Sequence, residues 1–148
     1  MPVKPIPDGY HSVTPELNVS GAAKLIDFMK QAFGAEEVMR MPGPGGALMH
    51  AEVKIGDSMV MTSDALREAP MPGSVFLYVN DVDAVYKRAL QAGATSIMEP
   101  ADMFWGDRFA RVKDAFGNRW GIATHKEDVP PSEMPKRAEA FMKQAGGG

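Results

Sequence analysis

An internal duplication restricts the fold of this chain more than any other feature of its sequence. Four segments of the first half recur in the second half, in the same order and about 60 positions later. The matching pairs are residues 17–19 with 77–79, 31–35 with 91–94, 51–54 with 110–113, and 56–59 with 117–120. Self-similarity at one spacing is the signature of a repeated supersecondary unit. The 148-residue chain is therefore predicted to contain two units of the same fold.

Within each copy the pattern predicts one strand, one helix and then three strands. Apolar and polar residues alternate over residues 12–19, as in a half-buried strand, although Pro15 interrupts the apolar side and favours an edge position. A turn rich in proline and glycine at residues 42–46 separates two of the later strands. The three strands after each helix are predicted at 36–40, 48–55 and 58–62, and at 95–99, 109–113 and 119–124.

Three helices are predicted from apolar residues at helical spacing. The first spans residues 21–33, with Ser20 as N-cap and Gly34 at its C-terminal end. Its counterpart spans 82–92, with Asp81 or Asn80 as N-cap. A third helix follows Pro130 and Pro131; Ser132 is its expected cap, and its expected apolar side carries Met134, Ala138, Phe141 and Met142. The predicted units are 8–66, 72–128 and a C-terminal helix and tail at 129–148.

Composition excludes several classes of protein. Sixteen Lys and Arg against nineteen Asp and Glu give a net charge of −3 without a basic block, which argues against nucleic acid as a partner. Cysteine is absent, so disulfides, thiolate metal sites and cysteine nucleophiles are excluded. No apolar run reaches the ~18 residues of a membrane span, and residues 1–7 lack the apolar core of a signal peptide. A cytoplasmic protein is expected.

Several motifs of this duplicated pattern resemble a known family. Residues 19–35, the Asp114-Ala115-Phe116-Gly117 turn, and the segments 10–15 and 105–108 are similar to the vicinal oxygen chelate superfamily, in its glyoxalase and bleomycin-resistance branch. The resemblance covers about residues 8–128, and Ala115 departs from it because proline more often follows that aspartate. It implies an α+β fold of two βαβββ modules, whose curled mixed sheets carry helices on their convex faces, and a homodimer.

The resemblance also implies a ligand cavity on the concave face of each sheet. The polar side of each alternating strand is then expected to line the cavity, because the apolar side packs on the helices. The residues expected there are Thr14, Glu16, His50, Glu52, Val60, Thr62, Ser74, Phe76, Tyr78, Phe109, Arg111, Gly121, Ala123 and His125.

Metal-dependent members of the superfamily place histidine or glutamate ligands at four positions of the first and last strands. By motif these positions correspond to Thr14, Ser74, Val60 or its neighbour Met61, and Gly121, none of which is a good ligand. The expectation is therefore that no cofactor is bound. A divalent metal held by His50 and Glu52, with His11, Glu16 or His125 nearby, is the alternative; ordinary polar strand residues are the simpler interpretation of that pair.

Aromatic and arginine side chains are the remaining candidates for ligand binding. Arg108 and Arg111 carry planar donors suited to a carboxylate or phosphate, and Trp105 and Arg108 are expected to shape the mouth of the site. Arg108 paired with Asp102 or Asp107, and Arg111 as a solvated strand residue, are the structural alternatives. The predicted ligand-binding set is Glu16, His50, Glu52, Phe76, Tyr78, Trp105, Arg108, Phe109 and Arg111.

Three functions fit these residues. The first is a metal-free protein that binds a small amphipathic or aromatic molecule. The second is a lyase, isomerase or dioxygenase that uses a non-standard metal site, or acid–base chemistry at residues such as Glu16, Glu52, His50 or Tyr78. The third is an interaction protein whose cavity is vestigial. The sequence does not identify a catalytic residue.

Overall fold

The computed structural model describes residues 2–146, so residues 147 and 148 of the predicted tail lie outside the described residues. Within residues 2–146 the chain forms eight β-strands, three α-helices and a short 3-10 turn at Pro44–Gly46. The first module contains β1 (Glu16–Val19), α1 (Ala22–Phe33), β2 (Glu36–Pro42), β3 (Leu48–Ile55) and β4 (Ser58–Asp64). The second contains β5 (Ser74–Tyr78), α2 (Val82–Gln91), β6 (Thr95–Asp102), β7 (Asp107–Lys113) and β8 (Arg119–His125), and α3 (Met134–Gly146) follows it.

Both modules have the same mixed sheet. The strand order is β1-β4-β3-β2 in the first module and β5-β8-β7-β6 in the second. The opening strand is parallel to the closing strand in each, and the other pairs are antiparallel. The predicted duplication of a βαβββ unit and the α+β fold class are confirmed.

The first strand is shorter than the alternation predicted. It begins at Glu16, and Val13 in the segment before it is 85% exposed. Pro15 explains part of the difference, because it has no N–H to donate to a neighbouring strand. Its carbonyl still accepts a hydrogen bond from the Met61 N–H, so the chain lies beside β4 without forming a regular ladder there.

The cap of α1 comes from a distant strand and not from Ser20. The Asp64 carboxylate at the end of β4 accepts hydrogen bonds from the Gly21 and Ala22 N–H groups at 2.7 and 3.0 Å. In the second module the Thr124 hydroxyl at the end of β8 accepts from the Val82 N–H at 3.0 Å. The predicted cap of α2 is confirmed, since the Asp81 side chain accepts from the Ala84 N–H.

The motif around Asp114 forms a buried turn that joins β7 to β8. One carboxylate oxygen of Asp114 accepts from the N–H groups of Phe116 and Asn118, and the other accepts from the side chains of Asn118 and Trp120. These four bonds satisfy a carboxylate that is 5% exposed. The turn therefore fixes Trp120 at the start of the closing strand.

The two modules share one core. Trp120 is fully buried, and its ring lies 6.4 Å from Phe28 and 4.8 Å from Phe33, both on α1 of the other module. Helices α1 and α2 therefore lie between the two sheets. The face of each sheet that is turned away from the helices, here called its open face, points away from this core.

The C-terminal helix α3 packs on the second module through an aromatic contact and a salt bridge. Phe141 lies 5.3 Å from Phe104, and Arg137 forms a salt bridge with Glu127 at 2.7 Å. Met142, which was expected on the apolar side, is 68% exposed. Among the described helices, none is long and apolar enough to cross a membrane.

Candidate functional site

Strand register assembles the candidate site on the open face of the second sheet. Phe76 and Arg111 both pair with Gly121, Tyr78 and Phe109 both pair with Ala123, and Asp107 pairs with His125. Side chains of directly paired residues share a face, and alternate residues of one strand do too. Three successive rows of the sheet thus place aromatic, cationic and acidic groups side by side.

Four aromatic side chains, Phe76, Tyr78, Trp105 and Phe109, form a continuous surface here called the aromatic floor. The rings of Phe76 and Phe109 are parallel within 5° at 5.4 Å, Tyr78 lies 5.1 Å from Phe76, and Trp105 lies 5.9 Å from Phe109. Phe76 is 44% exposed and Tyr78 65%. The floor therefore presents apolar ring surface to solvent, on which a flat ligand can stack.

Gly121 allows the floor to form. A Cβ atom at this position would lie 2.9 Å from Cδ2 of Phe76 and 3.1 Å from Cε1 of Phe109. The two rings occupy the space that any side chain at this position would need. This is one of the four positions that the resemblance implies for a metal ligand.

Arg111 borders the floor. Its guanidinium carbon lies 5.2 Å from the centre of the Phe109 ring, and the residue is half-buried. The other half-buried arginines of the described chain, Arg108 and Arg137, both pair with carboxylates. Within residues 2–146 Arg111 has no such salt bridge. Because it pairs with Gly121, its side chain lies on the open face of the sheet.

A buried carboxylate organises the other end of the site. Asp107 is 2% exposed and accepts hydrogen bonds from the Tyr78 hydroxyl and the Trp105 indole N–H, both at 2.9 Å, and bonds Nδ1 of His125 at 2.8 Å. Burial would raise the pKa of Asp107, but the bonds from His125, Tyr78 and Trp105 outweigh it and lower that pKa. The hydrogen bond to Asp107 also raises the pKa of Tyr78.

His125 lies between two carboxylates. Its Nε2 is 2.7 Å from Asp128, in the exposed segment after β8, and its Nδ1 contacts Asp107. These two hydrogen bonds, that with Asp128 first, raise the pKa of His125. The arrangement favours the imidazolium form and orients the ring at the edge of the aromatic floor.

The open face of the first sheet has different chemistry. Glu16 and Glu52 both pair with Met61, and Nε2 of His50 lies 3.5 Å from Glu52. Residues before β1 cover part of this face and leave a cavity of about 350 Å³, lined by the N-terminal segment together with Thr14, Glu52 and Met61. A second cleft of about 720 Å³ borders the free edge of β5 at Phe76 and Tyr78.

Two residues predicted to line the first cavity are on the opposite side of the sheet. Val60 and Thr62 are 2% and 1% exposed among the helix-facing residues, and the Thr62 hydroxyl donates to the Leu17 carbonyl. The residue of β4 that corresponds to Gly121 is Met61. The prediction was wrong by one residue because β4 is apolar on both faces, so that alternation does not reveal its orientation.

Arg108 lies outside the site. It alternates with Phe109 along β7 and therefore points to the helix side, where it contacts Asp83 at 2.8 Å and Asp102 at 3.2 Å. Pairing with Asp102 was one of the expected alternatives. Asp107 was missed as a site residue; its place at the start of a strand, between Trp105 and Phe109, is the only sequence signal that could have identified it.

The positions that the resemblance implies for metal ligands do not form a donor set. They carry Thr14, Ser74, Met61 and Gly121, and the last is covered by two phenylalanine rings. Among residues 2–146, no three His, Asp or Glu side chains are grouped as a metal site would require. The Asp107 carboxylate on the second open face is already bonded to Tyr78, Trp105 and His125.

Comparison with known proteins gives the family. Residues 10–122 match the model of the Glyoxalase/Bleomycin resistance protein/Dioxygenase superfamily. An uncharacterized protein of Mycobacterium bovis, Mb0911c, is 36% identical over 149 aligned residues, which cover 93% of this chain and 95% of that protein. YjdN of Escherichia coli is 33% identical over 92 residues, covering 59% of this chain and 63% of YjdN.

Solved structures agree with this assignment. The crystal structure of TioX from Micromonospora sp. ML1 is similar with a TM-score of 0.68 and 25% identity, covering 78% of this chain and 98% of TioX. A glyoxalase/bleomycin resistance protein/dioxygenase family enzyme from Burkholderia phytofirmans shares the fold with a TM-score of 0.63 and 17% identity, covering 76% of this chain and 96% of that one. The chain belongs to the glyoxalase/bleomycin resistance protein/dioxygenase superfamily.

Proposed function

We propose that the protein binds a small amphipathic or aromatic molecule on the open face of its second module, without a metal ion. The observation that carries this proposal is the aromatic floor. The rings of Phe76 and Tyr78 are exposed although the strand that carries them is well packed, and exposed apolar surface of this kind marks binding sites. Arg111 and the Asp107 network supply polar groups that orient a ligand.

We propose further that the chain forms a homodimer. Each open face points away from the shared core, so one chain does not enclose a ligand between its own two sheets. The outer edge of β5 carries unpaired backbone groups in the described structure, and such an edge favours pairing with another chain. The proposed partner is a second copy of the same chain. In the dimer, the small molecule then binds in a more enclosed site.

A thermal-shift screen with metabolites and antibiotics, run with and without a chelator, tests the binding proposal. A ligand specific for the folded state stabilises it by about 2.7 kcal/mol at a hundredfold excess over its Kd. We expect hits whose shift is unchanged by chelator and is lost in Phe76→Ala. Val38→Ala is the control, because Val38 is an exposed apolar residue of the first sheet. Hits that depend on added metal would contradict the proposal.

The second candidate function is acid–base catalysis, and the Asp107–His125 contact favours it. A buried carboxylate that fixes one imidazole nitrogen leaves the other available for proton transfer once the exposed Asp128 moves aside. Incubating each hit with wild-type protein and with His125→Gln, followed by mass spectrometry, tests this function. A product formed by the wild type alone supports it, and unchanged ligand in both samples contradicts it.

A further inference from the structure

We infer that the ligand of the second open face is an aromatic molecule with a carboxylate group, and that Arg111 selects for the negative charge. The inference rests on the proposed function and adds the chemical class of the ligand. It is based on the position of a half-buried arginine, which lacks an acidic partner within residues 2–146, beside the exposed rings of Phe76 and Tyr78.

The charge balance of this face favours an anion. Asp107 is the acidic group of the three rows, and three protein hydrogen bonds already satisfy its oxygens. The guanidinium of Arg111, by contrast, forms no hydrogen bond or salt bridge within residues 2–146 and lies over the Phe109 ring. Bringing a guanidinium partly out of water is unfavourable unless an acceptor replaces the lost hydrogen bonds, and a ligand carboxylate supplies that acceptor.

Geometry restricts the rest of the ligand. Phe109 lies under the Arg111 guanidinium and is parallel to Phe76. Gly121 lies beneath these rings and adds no side chain to the surface. A planar ring attached to the carboxylate can therefore cover Phe76 while its carboxylate reaches the donors of Arg111. A guanidinium binds a planar carboxylate with two parallel hydrogen bonds, which adds orientation to affinity.

Isothermal titration calorimetry with 2-naphthoate and its neutral isostere 2-naphthamide tests the inference. We expect the wild type to prefer naphthoate by roughly tenfold or more, because a hydrogen bond to a charged group contributes about 1.5–3 kcal/mol. Arg111→Met keeps an apolar stem and should abolish the preference. Arg67→Met removes an exposed positive charge in the connection between the modules and should preserve it.

The outcomes separate this inference from the proposed function. Equal affinity of the wild type for both probes, or a preference that survives Arg111→Met, overturns the inference while binding itself stands. Binding of neither probe also overturns it, and the thermal-shift screen then decides the proposed function independently. If circular dichroism shows that Arg111→Met is poorly folded, Arg111→Lys replaces it. Lysine keeps the positive charge but cannot donate two parallel hydrogen bonds. An undiminished preference for naphthoate in this variant would contradict the bidentate contact.

Arg111 could instead serve a contact between subunits, and the same variants detect this. Light scattering over a range of concentrations measures whether Arg111→Met weakens self-association. A weaker dimer with an unchanged naphthoate preference assigns Arg111 to the interface and overturns the inference. An unchanged assembly together with a lost preference supports it.

Discussion

At the scale of single residues, one glycine decides what the second open face can be. Gly121 leaves room for the rings of Phe76 and Phe109. It stands at one of the four positions where the family resemblance implies a metal ligand. The sequence did not indicate this packing role; it showed only that Gly121 has no side chain to bind a metal. The contact appears only when the register pairs Phe76 and Arg111 with Gly121.

Gly121→Ala should displace both rings. The added methyl group lies within 2.9 Å of Phe76 and 3.1 Å of Phe109, and overpacking of this kind typically costs about 1–3 kcal/mol. Chemical denaturation measures the change in the free energy of unfolding. Gly146→Ala is the matched control, since a Cβ there meets nothing within 4 Å. Equal stability of Gly121→Ala and the wild type would show that the rings are not confined by this position.

His125 should titrate above its ordinary pKa of about 6.5, because Asp128 and Asp107 stabilise the imidazolium. In the interval between 6.5 and the folded-state pKa, the folded chain binds more protons than the unfolded chain, so stability falls as pH rises. The stabilisation that His125 contributes is fully present below the pKa that this imidazole has in the unfolded chain. NMR titration of the imidazole carbon-bound protons measures this, with Asp128→Asn expected to lower the His125 pKa. A wild-type pKa at or below 6.5 would refute the double contact.

At the scale of elements, the sequence predicted the kind and order of helices and strands well. Helical spacing and Gly34 located α1 to within a residue, and Asp81, one of the two expected caps of α2, is the cap in the structure. Contacts between residues that are far apart in the sequence were not predictable from the local pattern. Asp64 caps α1 from a strand 43 positions later, and nothing near Ser20 in the sequence reveals that contact.

Asp64→Ala should therefore destabilise the first module, and by more than the partial exposure of the Asp64 side chain suggests. Asp64 accepts from Gly21, Ala22 and also from the Leu48 N–H at 2.7 Å, so it joins α1 to β3 and β4. Loss of a cap of this kind costs about 0.5–2 kcal/mol. Urea denaturation should show that loss, while Asp57→Ala in the exposed β3–β4 turn should change little. Similar values for the two variants would contradict the assigned role.

The lowered pKa of Asp64 gives the same contact a pH signature. Burial alone would raise that pKa, but backbone hydrogen bonds from Leu48, Ala22 and Gly21 outweigh it. The stabilisation is thus present above the unfolded pKa of about 3.9 and is lost as pH falls through the lower folded-state value. The stability difference between wild type and Asp64→Ala should shrink on acidification. A difference independent of pH down to 2 would be inconsistent with a carboxylate cap.

At the scale of the whole molecule, duplication has produced two sheets of equal topology and unequal chemistry. Glu16, Met61 and Glu52 of the first correspond to Phe76, Gly121 and Arg111 of the second. The sequence revealed the two copies, but it did not reveal that their helices share one core. That arrangement depends on tertiary contacts such as Phe33 with Trp120.

Self-association follows from this arrangement as an expected outcome. Light scattering coupled to size exclusion should give a mass near twice that of one chain at micromolar concentrations. The reason is that the outer edge of β5 and the open face of the second sheet remain uncovered on each chain. A monomer at the highest soluble concentration would contradict the proposed homodimer and would leave the second open face as a shallow site on one chain.

Metal-free ligand binding on the open face around Gly121 can be tested by an NMR chemical-shift map of chelator-treated protein, titrated with the tightest hit of the screen. The largest shifts are expected on β5, β7 and β8, at Phe76, Gly121 and Arg111. Shifts confined to the cavity beside Glu52 and Met61, or shifts that require a restored divalent cation, would contradict it.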